Sequence, residues 1–322
     1  MRAVQYSTNG GSDVLELVDK DVPTPAEGEV RVTVAAAGVN FIDTYQRSGL
    51  YPMALPSPIG IEGAGVISAV GTSVNGFAVG DRVAWASGLG SYAEEVIVAA
   101  NNLVPVPDAL DLESAASLMV QGVTAHYLAT STFPLNDTHT AVVYAAAGGV
   151  GRLLVQLAKE RGARVLACTS TEAKAAEVRR LGADEIILYR DVDIAATVRS
   201  LTGGAGADVV YDSVGKTTYE ASLASLTMRG MLVLYGNASG PVPPIDPQTL
   251  NKSGGLFLTR PSLAHYTRTS EELRMRTDEL FAKAADGRLS LLVHKTYGLD
   301  KAKQAHDDIE SGTTSGKLLI VP

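Results

Sequence analysis

The sequence predicts a two-domain α/β protein, with a β-rich barrel-like domain and a doubly wound parallel sheet covered by helices. The chain has 322 residues, more than one ordinary hydrophobic core accommodates. Short strands punctuated by glycine and proline dominate its first third, whereas strands and helices alternate from residue 140 onward. With 46% hydrophobic and 19% charged residues and no low-complexity segment, the composition is that of an ordinary globular protein.

The first third has the pattern of β structure. Residues 29–34 alternate polar and apolar side chains with period two, which is typical of a strand with one buried face. Residues 80–85 indicate a turn that leads into another strand, and further β-rich runs span 63–71 and 92–99. Short strands of this kind predict a compact barrel-like domain.

From residue 111 the apolar spacing becomes helical, and Asp111 is suited to cap the first helix. Strand–helix alternation then predicts a parallel sheet with helices on both faces. Its apolar strands are expected at 141–144, 164–167, 185–188, 208–211 and 231–235. The last segment is expected to return to the first domain. The predicted domains are therefore 1–121 with 264–322, and 122–263.

A glycine-rich turn joins the first of these strands to the next helix. The run Ala145-Ala146-Ala147-Gly148-Gly149-Val150-Gly151 follows a strand and opens a helix, as in the dinucleotide-binding fingerprint. The glycines let the backbone approach a pyrophosphate, and the helix N-terminus supplies oriented N–H groups. Ala146 replaces the first glycine of the fingerprint, and such a turn can also serve packing alone. The surrounding strand–helix–strand unit favours the cofactor interpretation.

The residues after the second strand favour NADPH over NADH. An NAD site usually has Asp or Glu there to bond the ribose 2′-hydroxyl. This chain has Ser170 and Thr171, with no carboxylate before Glu172. Lys174 follows one helical turn later, and small hydroxyls near a lysine suit a 2′-phosphate. In the alternative interpretation, Ser170 or Thr171 caps a helix and Lys174 is only solvated.

Charge and cysteine content argue against several functional classes. The 35 acidic and 27 basic residues give a formal net charge of −8, which argues against a nucleic-acid partner. No stretch approaches the roughly 18 apolar residues of a membrane span. Zinc sites take about three or four thiolate, imidazole or carboxylate ligands. The single Cys168 and five scattered histidines predict no metal site, and one cysteine is typical of a reducing cytoplasm.

Four separated segments carry a family resemblance: residues 40–51 (NFIDTYQRSGLY), 145–151 (AAAGGVG), 211–215 (YDSVG) and 259–263 (TRPSL). Through them the chain resembles the zeta-crystallin-like NADPH:quinone oxidoreductases, zinc-free members of the medium-chain dehydrogenase/reductase superfamily. The resemblance extends over essentially the whole chain. It implies a GroES-like β-rich catalytic domain, a Rossmann domain and NADPH bound in the cleft between them.

The resemblance also implies roles for individual residues. Asn40 and Tyr45 would border the nicotinamide, and Tyr51 would lie further out toward the substrate; these three are the candidate catalytic residues. Lys174 and Tyr189 would bind the 2′-phosphate. The other candidate cofactor-binding residues are Gln121, Ala147, Gly148, Gly149, Val150, Gly151, Ser170, Thr171, Ser213, Gly236, Asn237, Arg260 and Lys317, with Asn40 also counted among them.

Two positions depart from the family pattern. Gln121 stands where some relatives carry lysine, and Gly312 where some carry an arginine that reaches the cofactor. Either difference could loosen NADPH binding or shift substrate preference. Lys317 could compensate for the second.

The expected reaction is metal-free hydride transfer from NADPH to a quinone or a related electron-poor carbonyl compound. Negative charge develops on the acceptor oxygen, and the Asn40 amide and Tyr45 hydroxyl are candidate donors to it. Holding two flat rings in contact would supply most of the rate gain. In the structural alternative, Asn40 only satisfies buried backbone groups. Reduction of an enal or enone double bond remains open, as does a non-catalytic nucleotide- or RNA-binding role.

An apolar strand at residues 256–259 follows two glycines late in the α/β domain. If this strand lies at the edge of the sheet, its unpaired backbone groups can be satisfied by a second copy of the chain. The sequence therefore predicts a two-fold homodimer formed through the edge strands of the Rossmann domain.

Overall fold

The computed structural model describes all 322 residues, which form two compact units. The first unit comprises Met1–Val123 and Thr267–Pro322, and the second comprises Thr124–Tyr266. No helix combines the length and the apolar character required to span a bilayer.

The N-terminal part of the first unit is built mainly from strands. They are β1 (Arg2–Tyr6), β2 (Glu16–Asp19), β3 (Glu29–Val39), β4 (Ser57–Pro58), β5 (Gly63–Val70), β6 (Arg82–Trp85), β7 (Glu95–Ala99) and β8 (Leu103–Pro105). Its helices are α1 (Phe41–Arg47), α2 (Leu112–Leu118) and α3 (Val120–Tyr127), the last of which runs into the second unit. Asp111 caps α2 as predicted, since its side chain accepts a bond from the Ser114 N–H.

Strands and helices alternate through the second unit. Its elements are β9 (Thr140–Val143), α4 (Gly149–Glu160), β10 (Arg164–Thr169), α5 (Glu172–Arg180), β11 (Glu185–Leu188), α6 (Ile194–Leu201), β12 (Ala207–Asp212), α7 (Tyr219–Ala224), β13 (Leu226–Leu234), α8 (Pro247–Lys252) and β14 (Phe257–Thr259). The six strands form a parallel sheet in the order β11-β10-β9-β12-β13-β14. This is the doubly wound Rossmann order, with its topological switch beside β9.

The C-terminal segment completes the first unit. It contains α9 (Ser270–Ala285), β15 (Val293–Tyr297), α10 (Ala302–Glu310) and β16 (Lys317–Ile320). Strand β16 pairs antiparallel with β3, with Leu318 opposite Val39, so that the two ends of the chain share a seven-stranded sheet. A β-rich unit with a separate doubly wound parallel sheet confirms the predicted fold class.

The core of the first unit is closed by large aromatic side chains, of which Trp85, Tyr6 and Tyr92 are fully buried. The polar atoms of Trp85 and Tyr92 have hydrogen-bond partners within the unit, whereas the Tyr6 hydroxyl has none. The Trp85 Nε1–H donates to the Ser91 hydroxyl at 2.9 Å, and the Tyr92 hydroxyl donates to Asp43 at 3.0 Å. Tyr92 thereby connects the core to the beginning of α1.

Candidate cofactor and active-site residues

The predicted pyrophosphate turn lies between β9 and α4, at the carboxyl end of a central strand. Ala145 adopts φ +47°, and the Gly148 N–H closes the turn onto the Ala145 carbonyl at 2.8 Å. The residue with left-handed backbone conformation is therefore Ala145. Position 146 does not require glycine, and alanine is tolerated there. A Cβ at Gly151 would lie 2.3 Å from the Ala145 carbonyl oxygen, so only glycine lets α4 approach the turn this closely.

The first turn of α4 fits a dinucleotide pyrophosphate. Gly148 is the N-cap and has no side chain to accept bonds from the N–H groups of the first turn. Arg152, one residue beyond Gly151, is only 6% exposed, and its Nε has no hydrogen-bond partner. Burial lowers the pKa of Arg152 and the carboxylate of Glu177 opposes this shift, so the guanidinium already has an anionic neighbour. The sequence analysis did not select Arg152, although it lies directly after the motif.

The candidate 2′-phosphate residues follow β10, and Glu172 lies among them in the sequence but is paired elsewhere. Thr171 caps α5, because its hydroxyl accepts the Lys174 N–H at 3.3 Å. Glu172 pairs with Arg179 at 3.4 Å on the exposed face of α5. Burial lowers the pKa of Lys174 against the effect of Glu177, and the nearby Arg190 lowers it further. The Glu177 carboxylate and the Arg190 guanidinium therefore both act on Lys174 where the 2′-phosphate was predicted.

Asp212 organises the loop that follows β12. Its carboxyl is completely buried and accepts the backbone N–H groups of Val214 and Gly215 at 2.8 and 3.0 Å. It also accepts the hydroxyls of Thr218, at 2.8 and 2.9 Å, and of Ser222, at 2.7 Å. These bonds shape the segment that contains the candidate Ser213. Sequence reasoning found Asp212 only as part of a motif and assigned it no role.

The remaining candidates of the second unit lie around Ser213. A Cβ at Gly236 would lie 2.3 Å from the Ser213 carbonyl oxygen, so these segments are in close contact. Arg260 donates from Nη1 to the Leu234 carbonyl at 3.1 Å. With the Asn237 amide turned to donate to the Gly236 carbonyl, its oxygen accepts from Arg260 Nη2 at 3.1 Å. Four candidates from three separated segments thus meet at the carboxyl ends of the strands.

Strand ends explain why residues so far apart in sequence belong together. Candidate residues follow the carboxyl ends of all six strands, β9 to β14. Ligands of doubly wound sheets bind at the carboxyl ends of the strands. The residues in question are 147–151 after β9, Ser170, Thr171 and Lys174 after β10, Tyr189 after β11, Ser213 after β12, Gly236 and Asn237 after β13, and Arg260 after β14.

In the first unit, the aromatic candidate Tyr45 lies on α1 and Tyr51 lies shortly after the end of this helix. The ring centroids of Tyr45 and Tyr51 are 5.4 Å apart in an edge-on arrangement, and Phe41 lies 6.2 Å from Tyr45. The Tyr51 N–H donates to the Tyr45 carbonyl at 3.0 Å, which holds the two residues together across the turn. Both tyrosines are partly exposed, so part of this aromatic surface is accessible to solvent.

Asn40 is the N-cap of α1 and is 5% exposed. Its Nδ2 donates to Glu62 Oε1 at 2.6 Å and to the Gly38 carbonyl at 3.3 Å, and its Oδ1 accepts from Lys317 Nζ at 2.9 Å. Lys317 also bonds the Glu62 carboxylate and the Val39 carbonyl. The ammonium group of Lys317 therefore lies in a buried cluster of the first unit. Its expected role toward the cofactor, as a replacement for an arginine at Gly312, stays a prediction.

Asp43 closes the start of α1 from the other side. Its Oδ2 accepts the Asn40 N–H at 2.8 Å and the Tyr92 hydroxyl, while its Oδ1 has no partner. Burial raises the pKa of Asp43 to about 7, although both bonds oppose the shift. His306 lies 3.4 Å from the Tyr92 hydroxyl, and burial together with Arg47 lowers its pKa to about 3. A neutral histidine therefore faces Tyr92 at neutral pH.

Arg47, the last residue of α1, ties the helix to α10. It is 3% exposed and forms two bonds to the Glu310 carboxylate at 2.9 and 3.0 Å. A third bond joins its Nη1 to His306 Nδ1 at 3.0 Å. Both ends of α1 are consequently held by buried polar contacts, which fixes the orientation of the helix that carries Tyr45.

The residues present do not fit a zinc site. Nowhere do three or more His, Cys, Asp or Glu side chains converge in a manner that could hold a metal ion. Asn40 follows β3, and Cys168 is buried within β10. No chemical step is therefore assigned to a metal.

Two family models match the chain. One, described as the alcohol dehydrogenase GroES-like domain, matches residues 26–108, and the other, described as zinc-binding dehydrogenase, matches residues 149–283. The first match agrees with the β-rich unit and the second includes most of the parallel sheet. Together they confirm a GroES-like domain combined with a Rossmann domain.

Quinone oxidoreductases are similar to the chain along its whole length. The enzyme of Pseudomonas aeruginosa is 43% identical, with 100% of this chain and 99% of that protein covered. Quinone oxidoreductase 1 of Escherichia coli is 40% identical with 99% of each covered, and a 2-haloacrylate reductase of Burkholderia is also 40% identical, with 97% and 96% covered.

Solved structures agree with these relatives. A mycobacterial protein in complex with NADPH superimposes with a TM-score of 0.97 at 46% identity, and both chains are covered completely. The Escherichia coli quinone oxidoreductase in complex with NADPH gives 0.97 at 40% identity, again over both complete chains. The chain therefore belongs to the quinone oxidoreductase family of the medium-chain dehydrogenase/reductase superfamily.

Proposed function

We propose that this protein is an NADPH-dependent quinone oxidoreductase that acts without a metal. The observation that carries the proposal is the convergence of candidate cofactor residues at the carboxyl ends of all six parallel strands. Relatives at 40–43% identity over the full chain bear this activity in their names, and two structural neighbours were solved with NADPH. A cytoplasmic location, expected from the single cysteine, is part of the proposal.

The second unit would bind NADPH along the carboxyl ends of its six parallel strands. The N–H groups at the start of α4 would receive the pyrophosphate, with Arg152 adding positive charge. Lys174 and the neighbouring Arg190 would pair with the 2′-phosphate beside Tyr189. The hydroxyl of Thr171 caps α5 and so holds the backbone of Lys174 in place. Capping and phosphate binding are compatible at this position.

Bound NADPH would supply the hydride, and the first unit would supply contacts to the acceptor. Tyr45 and Tyr51 offer an apolar aromatic surface suited to a flat ring. Both amide hydrogens of Asn40 already donate inside the unit. Tyr45 is therefore the stronger candidate to donate to an acceptor oxygen as negative charge develops.

Double-bond reduction of an activated acid or enone is the second candidate function. The similarity to a 2-haloacrylate reductase supports it, because that protein is named for a carbon–carbon double-bond substrate. The same fold and the same cofactor would serve both reactions. Parallel assays with a quinone panel and an enone panel separate them.

We expect wild-type protein to oxidise NADPH in the presence of a flat ortho-quinone under anaerobic conditions, and to use NADH far less well. Replacing Lys174 by alanine removes one charged contact to the 2′-phosphate. A contact of this kind contributes about 1.5–3 kcal/mol, so the KM for NADPH should rise by about 10- to 100-fold while that for NADH is unchanged. Nicotinamide absorbance provides the measurement.

Arg179→Ala is the matched control, since Arg179 is an exposed cation on the same helix and pairs with Glu172. It should leave the NADPH preference unchanged. Equal loss in both variants would contradict the phosphate assignment. Absence of turnover with every quinone, despite tight NADPH binding, would contradict the proposed reaction.

We also propose a homodimer formed through β14. This strand lies at the edge of the parallel sheet, and Phe257 is 57% and Leu258 36% exposed. Met228, 75% exposed, adds to the apolar side chains displayed by the second unit. Antiparallel pairing of two β14 strands about a two-fold axis would satisfy their free backbone groups.

The expected mass in solution is therefore twice that of one chain, measurable by light scattering. Phe257→Glu should shift the protein toward monomer, whereas Val79→Glu, at an equally exposed apolar side chain of the first unit, should not. A monomeric wild-type protein would show that β14 is not an interface.

A further inference from the structure

Asn40, Glu62 and Lys317 form a buried polar cluster in the first unit, with exposures of 5%, 0% and 2%. The sheet register brings them together. Asn40 follows β3, Glu62 precedes β5 and Lys317 opens β16, and β3 pairs with both other strands. A buried ion pair is costly to desolvate and gives weak support to stability, so its retention calls for another reason.

The hydrogen bonds of Asn40 leave one bonding direction open. A side-chain amide has two donor hydrogens and two acceptor lone pairs. Both hydrogens are used, by Glu62 Oε1 at 2.6 Å and by the Gly38 carbonyl at 3.3 Å. Lys317 Nζ takes one lone pair of Oδ1 at 2.9 Å. The Asp43 N–H, which faces Asn40 in the capping box, donates to the Asn40 backbone carbonyl at 3.1 Å. The second lone pair of Oδ1 is therefore left for a ligand.

The ion pair also prevents the amide from turning over. A half-turn would bring Nδ2 against the Lys317 ammonium and Oδ1 against the Glu62 carboxylate and the Gly38 carbonyl. Every contact would then join like partners. The orientation of Asn40 thus depends on charges contributed by two distant parts of the chain.

Glu62 holds a second element in the same way. Its other carboxylate oxygen accepts the backbone N–H of Val120, the first residue of α3. The next residue is Gln121, a candidate cofactor residue that is 8% exposed. One carboxylate therefore sets the position of Asn40 and of the helix start that carries Gln121.

We propose that Glu62 and Lys317 are positioning residues, which lock the Asn40 amide so that its oxygen accepts a hydrogen bond from the bound ligand. This inference rests on the proposed function for the identity of that ligand. It replaces the earlier assignment of Asn40 as a donor, and it removes Lys317 from direct contact with the cofactor.

The test uses the full-length protein with both charges removed together, as Glu62→Gln with Lys317→Met, because a single substitution leaves a buried charge unpaired. Selective 15N labelling of asparagine reports the side-chain NH2 signals, and Asn40→Ala assigns the signal of Asn40. The Asn40 amide hydrogens should exchange slowly in the wild type and rapidly in the pair variant. Asn101, which is exposed, provides the fast-exchanging reference.

Kinetics and binding give the second arm. The pair variant should lose about 10- to 100-fold in kcat with a quinone, since a misplaced contact near the reacting atoms costs this much. NADPH affinity, measured by fluorescence titration without acceptor, should also fall. The triple variant combines Asn40→Ala with the pair variant. If the pair acts through Asn40, the triple variant should lose little more kcat than Asn40→Ala alone.

The outcomes separate the two proposals. Slow exchange of the Asn40 amide that depends on the pair supports positioning even if no quinone is reduced, in which case the proposed function fails. The positioning role is overturned if the pair variant turns over normally, or if the loss of kcat in the triple variant is the sum of the losses in the pair variant and in Asn40→Ala. Fast exchange of Asn40 in the wild type overturns it as well, whether or not the pair variant folds.

Discussion

Replacing Asp212 by alanine is expected to lower the free energy of unfolding by about 3–5 kcal/mol, because several buried donors lose their acceptor at once. The carboxyl accepts two backbone N–H groups and two hydroxyls and is completely buried. The hydroxyls of Thr218 and Ser222 can reorient, but the N–H groups of Val214 and Gly215 cannot. Urea denaturation followed by circular dichroism measures the loss.

The same substitution should weaken NADPH binding, because the loop held by Asp212 contains Ser213. Asp212→Asn is the matched control, since it keeps the shape and one acceptor oxygen for the two backbone N–H groups. Its loss of stability should be less than half that of the alanine variant. Equal stability of the alanine variant and the wild type would show that the loop does not depend on this carboxyl.

Asp43 is expected to make the stability of the first unit fall as the pH rises from about 4 to 7. Burial raises the pKa of this carboxyl from 3.8 to about 7; Lys317 opposes the shift and Glu62 adds to it. Well below pH 3.8, the carboxyl is protonated in both the folded and unfolded chains, and stability is at its full value. Between the two pKa values the folded chain holds a proton that the unfolded chain has released, so stability declines with pH.

Above pH 7 the decline should level off, after a total change of about 4 kcal/mol. Asp43→Asn should abolish this part of the pH dependence, because its side-chain oxygen can still accept the Asn40 N–H without ionising. Asp108→Asn, at a fully exposed carboxylate, should leave the slope intact. Thermal unfolding at pH 5 and pH 8 measures both. Identical slopes in wild type and Asp43→Asn would contradict the assignment.

The parallel sheet could be predicted closely because its strands are buried on both faces and form continuous apolar runs. The predicted strands at 141–144 and 208–211 correspond to the buried strands Thr140–Val143 and Ala207–Asp212. Prolines at 241, 243, 244 and 247 favour a loop, so no helix was expected at the position of α8. Asp246 as a cap followed by Pro247 at the helix start was the available signal.

The sequence by itself determined the fold class, the family and the pyrophosphate turn, because each depends on a local pattern. Strand and helix periodicity, the glycines after β9 and the absent carboxylate at Ser170 and Thr171 are all visible within short windows. The preference for NADPH was predicted from the same local residues.

Only the tertiary structure decided what Asn40 contacts. Lys317 lies 277 positions from Asn40 and Glu62 lies 22 positions away, and neither carries a local signal of a buried ion pair. Asp43, Tyr92 and His306 are similarly dispersed. Such pairs form because sheet register brings distant strand ends into contact, and register is set by the packing of the whole unit rather than by any one segment.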